Sequence, residues 1–391
     1  MKTLNEKLAL LKARMDGGEK ITIAILGLGS VGCYLLDYLV SLGDPQLKVV
    51  VVGRNREKLQ KDVNIIRTAA CIRHQLRSEV EIVADCDFTD VASITDVLAR
   101  TKPDFIVNSS RLFAGLKYGT ISWSNLRAYG IWSPLSVQLG KNIMEAYEQA
   151  GCNAISINTS YSDAVIPWLK SAGMDYFDFG SGNLNHLIPR MKFHVAEKFG
   201  IDNWNEIDIT LVASHFHDVV ISKEGHTEGV DLLLSVKYEG KVLEINPAEL
   251  FAQCSIAMPT DQKRNMMNAS SNFDIICAVL SAIREGTRKK IHSPGVGGYI
   301  GGYPFIIDGS DGRIRGGFAP EFPLDKMIQV NRKSIYLDGI EDVRDGTLFY
   351  TDELISKVER RFNVRIPKEV PLADSVQVAD LLIEQIIKPQ I

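Results

Sequence analysis

Two histidines two positions apart are the first candidates for acid–base chemistry. His215 and His217 lie in a run, 209–221, that the sequence predicts to be a strand with both imidazoles on one face. An unperturbed imidazole titrates near neutral pH, which suits a general acid or base. Two alternatives stay open. The pair could begin a metal chelate, although no third ligand is evident and we predict no metal, or it could be hydrogen-bonded at a domain boundary.

Arginines could bind or polarise the group on which such a histidine acts. Arg111 and Arg127 lie in segment 111–130, which we expect to close over a substrate. A guanidinium there could polarise a carbonyl oxygen or bind a carboxylate. Arg190 could bind an anionic group of the substrate. The alternatives are that Arg127 begins a helix over 126–132 and only packs there, and that Arg190 is a surface residue.

Four more polar side chains are candidates for the same cleft. His186 and Asn185 stand at a predicted helix start, and His186 could be an acid, a base or a donor to a substrate oxygen. Asn158 ends a predicted strand, and ligands gather at the carboxyl ends of parallel strands. Ser271 opens a long helix and could contact a cofactor or substrate. Helix capping by His186 or Ser271 and an ordinary turn at Asn158 are the alternatives.

A glycine-rich loop indicates a cofactor. Gly27-Leu28-Gly29-Ser30-Val31-Gly32 joins an apolar strand to a helix, and a second apolar strand follows. In a dinucleotide site the first glycine permits the turn, the second admits the pyrophosphate, and the third packs the helix on the sheet. The helix start then offers free N–H groups to the phosphates. A glycine turn of another α/β fold is the alternative.

The residues after the second strand indicate which dinucleotide binds. An NAD site normally places Asp or Glu there to accept from the ribose 2′-hydroxyl. This chain has Gly53-Arg54-Asn55-Arg56, with no carboxylate before Glu57. Two guanidiniums could bind a 2′-phosphate, so we predict NADP(H), with NAD as the alternative. Both arginines could also be solvated residues of a helix start.

Alternating strands and helices must position these residues. Apolar runs rich in β-branched residues predict parallel strands at 21–26, 48–52, 81–84, 105–108 and 154–158, with helices between them. This order predicts an α/β fold with a doubly wound parallel Rossmann sheet. Farther on, helices at 184–199 and 272–289 alternate with strand-like runs at 207–221, 230–238 and 303–308. We predict a Rossmann domain over 1–165, with an N-terminal helix over 1–18, and a mixed α+β substrate domain over 166–391.

Composition excludes several classes of protein. The 391 residues are 45% hydrophobic and 24% charged, enough for a sizeable core. A net charge of −4 argues against nucleic acid as a partner, because phosphate backbones require a basic face. No apolar run is long enough to span a membrane, and the N-terminus lacks a signal-peptide core. Six scattered cysteines indicate a reducing, cytoplasmic location without disulfides.

The order and spacing of several short segments along the chain resemble those of the lactate/malate dehydrogenase superfamily. Six segments between residues 20 and 340 carry the resemblance. Segment 108–115 stands where the family's fourth strand ends and its mobile loop begins. The others correspond to later family segments: 156–165 to S-N-P-V-D, 182–190 to G-x-x-L-D-x-x-R, 213–218 to G-E-H-G-D, Ser270-Ser271 after these, and 303–312 to the late P-x-x-x-G-x-x-G hairpin. The resemblance implies that family's fold and places Asn108, Ser109 and Asn158 at the cofactor.

The resemblance also implies a reaction. We expect hydride transfer between a nicotinamide and a carbonyl, hydroxyl or imine carbon of a polar, anionic small molecule, in a homodimer or homotetramer. In the family an Asp holds the catalytic His and an Arg three residues later binds the carboxylate; here these positions are Asn185 and Ile188. Two alternatives stay open: an NAD-dependent, metal-assisted glycosidase of the same fold, and a catalytically inactive dinucleotide sensor.

Overall fold

A six-stranded parallel sheet organises the first half of the chain. The computed structural model describes residues 2–113, 115–259 and 261–390. The strand order is β3-β2-β1-β4-β5-β6, so successive strands are added on one side of β1 up to β3 and on its other side from β4 onwards. This is the doubly wound arrangement that the sequence predicts, and the predicted fold class is confirmed.

The five predicted parallel strands begin within two residues of the observed ones. The strands of the chain are β1 (Ile21–Leu26), β2 (Leu47–Val52), β3 (Glu79–Val83), β4 (Phe105–Asn108), β5 (Ile155–Asn158), β6 (Phe179–Gly180), β7 (Asp208–Val212), β8 (Leu233–Tyr238), β9 (Lys241–Val242), β10 (Arg288–Pro294), β11 (Gly302–Asp308), β12 (Arg315–Phe318), β13 (Ile340–Arg344), β14 (Thr347–Tyr350) and β15 (Glu369–Pro371). Strand β1 is buried along its whole length because helices cover both faces of the sheet.

The helices follow the strands and continue to the C-terminus. They are α1 (Leu4–Asp16), α2 (Ser30–Ser41), α3 (Arg56–Ile72), α4 (Val91–Thr101), α5 (Gly115–Ile121), α6 (Ser133–Gln149), α7 (Ser162–Ser171), α8 (Ile188–Phe199), α9 (His215–Glu224), α10 (Pro247–Gln253), α11 (Asn265–Glu285), α12 (Leu324–Leu337), α13 (Asp352–Phe362) and α14 (Ser375–Leu382). Gln262–Glu285 is long and apolar enough by composition to cross a membrane, but half of its most apolar stretch is buried inside the protein.

Three small antiparallel sheets make up the rest of the molecule. Their strand orders are β7-β8-β9, β10-β11-β12 and β13-β14-β15, which confirms the predicted mixed α+β character. The last of them and α14 pack back on α6 and α7 of the first half, where Trp132, Leu135, Ile340 and Leu382 share one core. The sixth strand of the parallel sheet lies beyond residue 165, and the domain boundary at that residue stays a prediction.

The prediction of one strand over 207–221 is wrong. Strand β7 ends at Val212, and α9 begins at His215 after an extended Ser214. The buried residues of α9 include Phe216, Val220 and Ile221, which lie on one face of a helix. The apolar residues in the short stretch after Val212 fit the spacing of a strand as well as that of a helix. Packing of the apolar face against the rest of the protein stabilises the helix.

Candidate functional site

A long groove crosses the carboxyl ends of β1, β2 and β4. Its volume is about 700 Å³, and Gly27, Gly29, Ser30 and Val31 of the glycine-rich loop line it. Ser109 and Arg111 continue the wall from the end of β4. The groove therefore lies at the point where the strand order reverses, the usual ligand position in such sheets.

The three glycines of the loop have different environments. Gly27 has a φ of +93°, which favours glycine. A Cβ on Gly32 would lie 2.4 Å from the Gly27 carbonyl oxygen, so only glycine allows α2 to begin so close to β1. A Cβ on Gly29 would meet no atom within 4 Å, because this residue faces the open groove. The space beside Gly29 fits a pyrophosphate that approaches the backbone.

The start of α2 has no acidic side chain in its first turn, and a residue from the second half of the chain contacts it. Gly29 caps the helix without a side-chain hydrogen bond, and no acidic residue lies in the first turn. The first backbone N–H groups and the positive end of the helix dipole thus remain for an anion. Asn265 of α11 donates to Ser30 Oγ at 2.6 Å, which places α11 beside this anion site.

The two arginines after β2 lie in different places. Arg54 lines the groove, whereas Arg56 does not and instead pairs with Asp85 at 3.3 Å on the surface. Asn55 caps α3 by accepting from the Lys58 backbone at 2.9 Å. Asp87 also lines the groove, with its carboxylate accepting from the Thr89 backbone at 2.9 Å. Of the two predicted guanidiniums, only Arg54 is placed to meet a cofactor.

A smaller cavity of about 230 Å³ adjoins the groove. Arg111 and Gly115 line both spaces, so they mark the boundary between them. The remaining wall comes from segment 118–136, the residues after β5, segment 181–186, α9, and residues 264 and 268 at the start of α11. A small molecule in this cavity would lie next to whatever occupies the adjoining end of the groove.

A histidine and a buried aspartate form the main polar pair of this cavity. His215 Nδ1 lies 2.9 Å from Asp338 Oδ2, and the Asp338 side chain is fully buried. The same carboxylate accepts from the Tyr161 hydroxyl at 2.6 Å and from the Tyr129 backbone at 2.7 Å. The Tyr129 and Tyr161 rings contact His215 edge-on, with centroids 4.8 and 5.0 Å away. These contacts fix the imidazole and leave Nε2 as the free ring nitrogen.

Electrostatics favour the charged form of this imidazole. Burial alone lowers the pKa of His215, but the charge and hydrogen bond of Asp338, with the charges of Asp163 and Asp218, raise it above its ordinary value. Burial raises the pKa of Asp163 to about 6, and this carboxylate accepts from the His215 backbone at 2.9 Å. His215 is therefore equipped to hold and release a proton near neutral pH.

A second histidine–aspartate pair lines the same cavity. His186 Nδ1 lies 3.4 Å from Asp218 Oδ2. Asp218 follows His215 by three residues and so lies on the same face of α9. Burial would raise the pKa of Asp218, but the charges of His186, His215 and Arg190 and a hydrogen bond from His186 lower it overall. Asp218 thus connects the two imidazoles electrostatically.

Three cationic side chains of the cavity have no acidic partner. Arg111, Lys223 and Arg264 all line it, and none forms an ion pair within the described residues. Burial, followed by the charge of Arg264, lowers the pKa of Lys223. Unpaired cations around a small polar cavity favour an anionic ligand, because such a ligand would supply the missing counter-charge.

The structure places His217 away from both spaces. It lies two residues after His215 in a helix, which turns it about 200° away rather than onto the same face. It is fully buried, and burial lowers its pKa to about 4, so its imidazole is neutral at pH 7. The predicted sharing of one face by His215 and His217 is wrong, since it depended on a strand.

Asparagines 108 and 158 lie inside the protein at the ends of β4 and β5. Asn108 donates to Asn158 Oδ1 at 3.0 Å, and Asn158 donates to the Ser160 carbonyl at 2.9 Å. Both side chains are buried, and neither lines the groove or the small cavity. They order the loop ends on which Ser109 and Ser160 reach those spaces.

Arg127 is engaged elsewhere. It has a left-handed φ of 53° after the turn Ser122–Leu126, so the predicted helix over 126–132 is wrong. Its guanidinium donates to Glu224 at 2.8 Å and to Glu228 at 2.6 Å, and it stacks on Trp123. These contacts indicate that Arg127 attaches segment 111–132 to the end of α9.

One exposed group among the described residues has the composition of a metal site. Glu224, His226 and Glu228 bring their ligand atoms within 4.8 Å of one another. The Arg127 guanidinium already pairs with both glutamates, and this position is outside the small cavity. The group is explained as a surface ion-pair cluster.

The predicted substrate residues Asn185, Arg190 and Ser271 line a third cavity. Asn185 donates to Ser271 Oγ at 3.0 Å, and Arg190 donates to the Cys254 carbonyl at 3.0 Å. Only His186 is common to this cavity and the small one. Arg190 lines this third cavity and not the small one, although its charge acts on Asp218.

Comparison with known proteins agrees with this architecture. Residues 23–173 match the model of the NAD dependent epimerase/dehydratase family. The malate dehydrogenase from Aeropyrum pernix superimposes with a TM-score of 0.50 at 15% identity, covering 80% of this chain and 97% of that one. The malate dehydrogenase from Salinibacter ruber gives a TM-score of 0.50 at 12% identity, covering 81% and 95%. A search among curated proteins gives no match.

These likenesses establish the fold. The predicted resemblance to the lactate/malate dehydrogenase superfamily is confirmed at that level, and the match over residues 23–173 supports an enzyme that depends on a nicotinamide dinucleotide.

Proposed function

We propose that the chain is an NAD(P)-dependent oxidoreductase that transfers a hydride between the nicotinamide and a carbonyl, hydroxyl or imine carbon of a small anionic molecule. The observation that carries the proposal is the His215–Asp338 pair in a cavity that shares Arg111 with the dinucleotide groove. A bound nicotinamide supplies or accepts the hydride. The residues of the chain must then bind the substrate, exclude water and move one proton.

His215 moves the proton in this proposal. Its Nδ1 faces Asp338, so Nε2 gives a proton to the substrate oxygen or nitrogen in reduction and takes it back in oxidation. Asp338 holds the tautomer and stabilises the imidazolium, the role that a family Asp would have at Asn185. Since a carboxylate partner is present, the geometry supports catalysis rather than an inactive sensor.

The unpaired cations bind the substrate. Arg264 and Lys223 lie on the side of α9 and α11, and Arg111 lies at the groove. An anionic group held by these residues would orient the reacting carbon between His215 and the groove. Tyr129 and Trp132 contribute ring surface that excludes water from the cavity.

We further propose NADP(H) as the preferred cofactor, with NAD as the alternative. Arg54 supports this preference, because it lines the groove and forms no ion pair within the described residues. The nearest acid in the groove, Asp87, is bound to the Thr89 backbone and hydroxyl. A 2′-phosphate would find the Arg54 guanidinium there, and the orientation of the Asp87 carboxylate is held by Thr89.

The experiment that tests this function separates binding from turnover. NADPH and NADH are titrated separately by fluorescence, and oxo acids, sugars and imines are screened by loss of nicotinamide absorbance. His215→Gln should bind NADPH as the wild type does and lose turnover, whereas His217→Gln should retain both. Equal turnover of His215→Gln and the wild type would refute the proton role.

The remaining expectations concern assembly and location. We propose a cytoplasmic homodimer or homotetramer that acts on a small molecule, without a nucleic-acid or membrane partner. Ile65 and Ile72 support a subunit contact, because they are 67% and 74% exposed on the same helix, α3. Light scattering coupled to gel filtration measures the mass, and a monomer at micromolar concentration would contradict this part of the proposal.

A further inference from the structure

The third cavity has the size of a ligand site. Its volume is about 520 Å³, and α8, α11, β7, β10 and residues 256–258 contribute to its wall. Sites for small organic ligands typically measure about 300–1,000 Å³. The cavity touches the small one only through His186, so a ligand here would be separate from the substrate.

Two buried nitrogen atoms of this cavity lack partners. Arg190 is 4% exposed, and its terminal nitrogens contact the Cys254 carbonyl at 3.0 Å and Met258 Sδ at 3.3 Å. Its Nε has no hydrogen-bond partner, and neither has His186 Nε2. A buried polar group without a partner is costly, so the Arg190 guanidinium favours a ligand with acceptor oxygens. His186 Nε2 would donate to the same ligand only in the doubly protonated imidazole, because Nδ1 faces Asp218.

One buried cation of the cavity also favours an anion. Lys290 Nζ lies 2.9 Å from the Asp208 carboxylate and 3.1 Å from Glu321, and Asp274 lies at the exposed edge, 3.5 Å from Asn185. Lys192 donates to the Asn205 carbonyl at 3.4 Å, and the charges of Asp208 and Asp274 act on it. Arg190 forms no ion pair within the described residues, although the charge of Asp218 in the adjoining cavity acts on it. Arg190 is therefore the buried cation of this wall with which an anion would pair.

The opposite wall is apolar and aromatic. Phe193 and Trp204 pack edge to face with centroids 5.1 Å apart, yet they remain 50% and 38% exposed. Ile256, at 44% exposure, and Met258 and Met267 extend this wall. Large apolar side chains exposed around a concavity mark a surface that another apolar group covers.

We propose that this cavity binds a small aromatic carboxylate, a site distinct from the substrate cavity and independent of the function proposed above. The carboxylate would pair with the Arg190 guanidinium, and with His186 when its imidazole carries both protons. The ring would lie against Phe193, Trp204 and the two methionines. No covalent step is involved.

The probe for the test is 2-naphthoate, with uncharged 2-naphthamide as the matched ligand control. Isothermal titration calorimetry should show one equivalent of naphthoate bound and at least about tenfold weaker binding of the amide, since a hydrogen-bonded charge contributes over 1.4 kcal/mol. Arg190→Gln should weaken naphthoate binding by at least about tenfold for the same reason. Phe193→Glu gives an independent measurement, because this exposed side chain can change without disturbing the fold and adds a repelling charge.

Control variants locate the bound probe. Arg264→Gln, in the substrate cavity, should bind naphthoate as the wild type does, and so should Arg313→Gln on the surface. Loss of binding in Arg264→Gln with retention in Phe193→Glu would place the probe in the substrate cavity and overturn the proposal. Absence of saturable naphthoate binding to the wild type at millimolar concentration would also overturn it.

Discussion

Replacement of Asp338 by asparagine isolates the electrostatic role of the histidine–aspartate pair. The substitution keeps the size of the side chain and an acceptor oxygen for Tyr161, but it removes the charge 2.9 Å from His215. We expect the pKa of His215 to fall from above its ordinary value to below it, because burial then dominates.

The size of the fall follows from a comparison within the protein. His217 is buried without a facing carboxylate, and its pKa is lowered from 6.5 to about 4. Unit charges about 4 Å apart interact by roughly 4 kcal/mol at an effective dielectric constant of 20, and one pKa unit is about 1.36 kcal/mol. Loss of Asp338 should therefore remove up to roughly 4 kcal/mol of stabilisation from the imidazolium and lower the pKa of His215, with Asp163 and Asp218 limiting the fall.

The assay is an NMR titration of imidazole resonances, with the His215 signal assigned by its absence in His215→Gln. Asp345→Asn is the matched control, since it removes the same charge from an exposed turn of the neighbouring hairpin. It should leave His215 unchanged. A wild-type His215 that titrates below 6.5, or one that titrates identically in Asp338→Asn, would refute the electrostatic reasoning.

Other substitutions test the remaining parts of the site. Arg54→Asp should weaken NADPH binding by about ten- to a hundredfold, because charged hydrogen bonds to the 2′-phosphate are lost, and should favour NADH. Arg56→Asp should change the affinity for neither coenzyme. Equal effects of the two substitutions in a fluorescence titration would contradict the assignment of the 2′-phosphate to Arg54. Gly29→Ala should keep its thermal unfolding midpoint yet bind NADPH more weakly, because its Cβ meets only the groove; unchanged binding would place the pyrophosphate elsewhere. Arg264→Gln should raise KM for an anionic substrate more than it lowers kcat, and an unchanged KM would exclude this residue from binding. Below pH 6.5 the His217 imidazole is neutral in the folded protein and charged in the unfolded one, so its contribution to stability is present above that pH and is lost as pH falls towards about 4. The free energy of unfolding in urea should therefore fall by about 1.4 kcal/mol per pH unit in the wild type, and His217→Gln should lack this loss. Equal pH dependence of the unfolding free energy in the two proteins would contradict this prediction.

The sequence predicts the parallel sheet well because its signals are local. β1 is apolar throughout and is followed by the glycine-rich loop, so strand, turn and helix are each indicated by adjacent residues. The stretch 213–221 fails for the converse reason. Over so few positions its apolar residues fit the spacing of a strand and that of a helix equally well. Only packing against the rest of the protein stabilises α9 there.

The cofactor loop could be predicted from the sequence, but the partner of His215 could not. Asp338 is 123 residues away in the chain and belongs to a turn after α12, which folds back beside α9. The one sequence signal was negative, namely Asn185 at the position of the family's Asp. Arg264 and Lys223 were missed similarly, since a cation without a partner is recognised only once its neighbours are known. Arg56 and Asn158 were candidates by type, and their contacts show structural roles.

Calorimetric titration of the wild-type protein with NADPH, with NADH in parallel, tests the central claim most directly. The claim is that a dinucleotide lies across the start of α2, beside the cavity of His215. We expect one equivalent of NADPH to bind, more tightly than NADH, and to be displaced by 2′,5′-ADP, which carries the phosphate assigned to Arg54. No heat with either coenzyme, at protein concentrations where the fold is intact, would contradict the account.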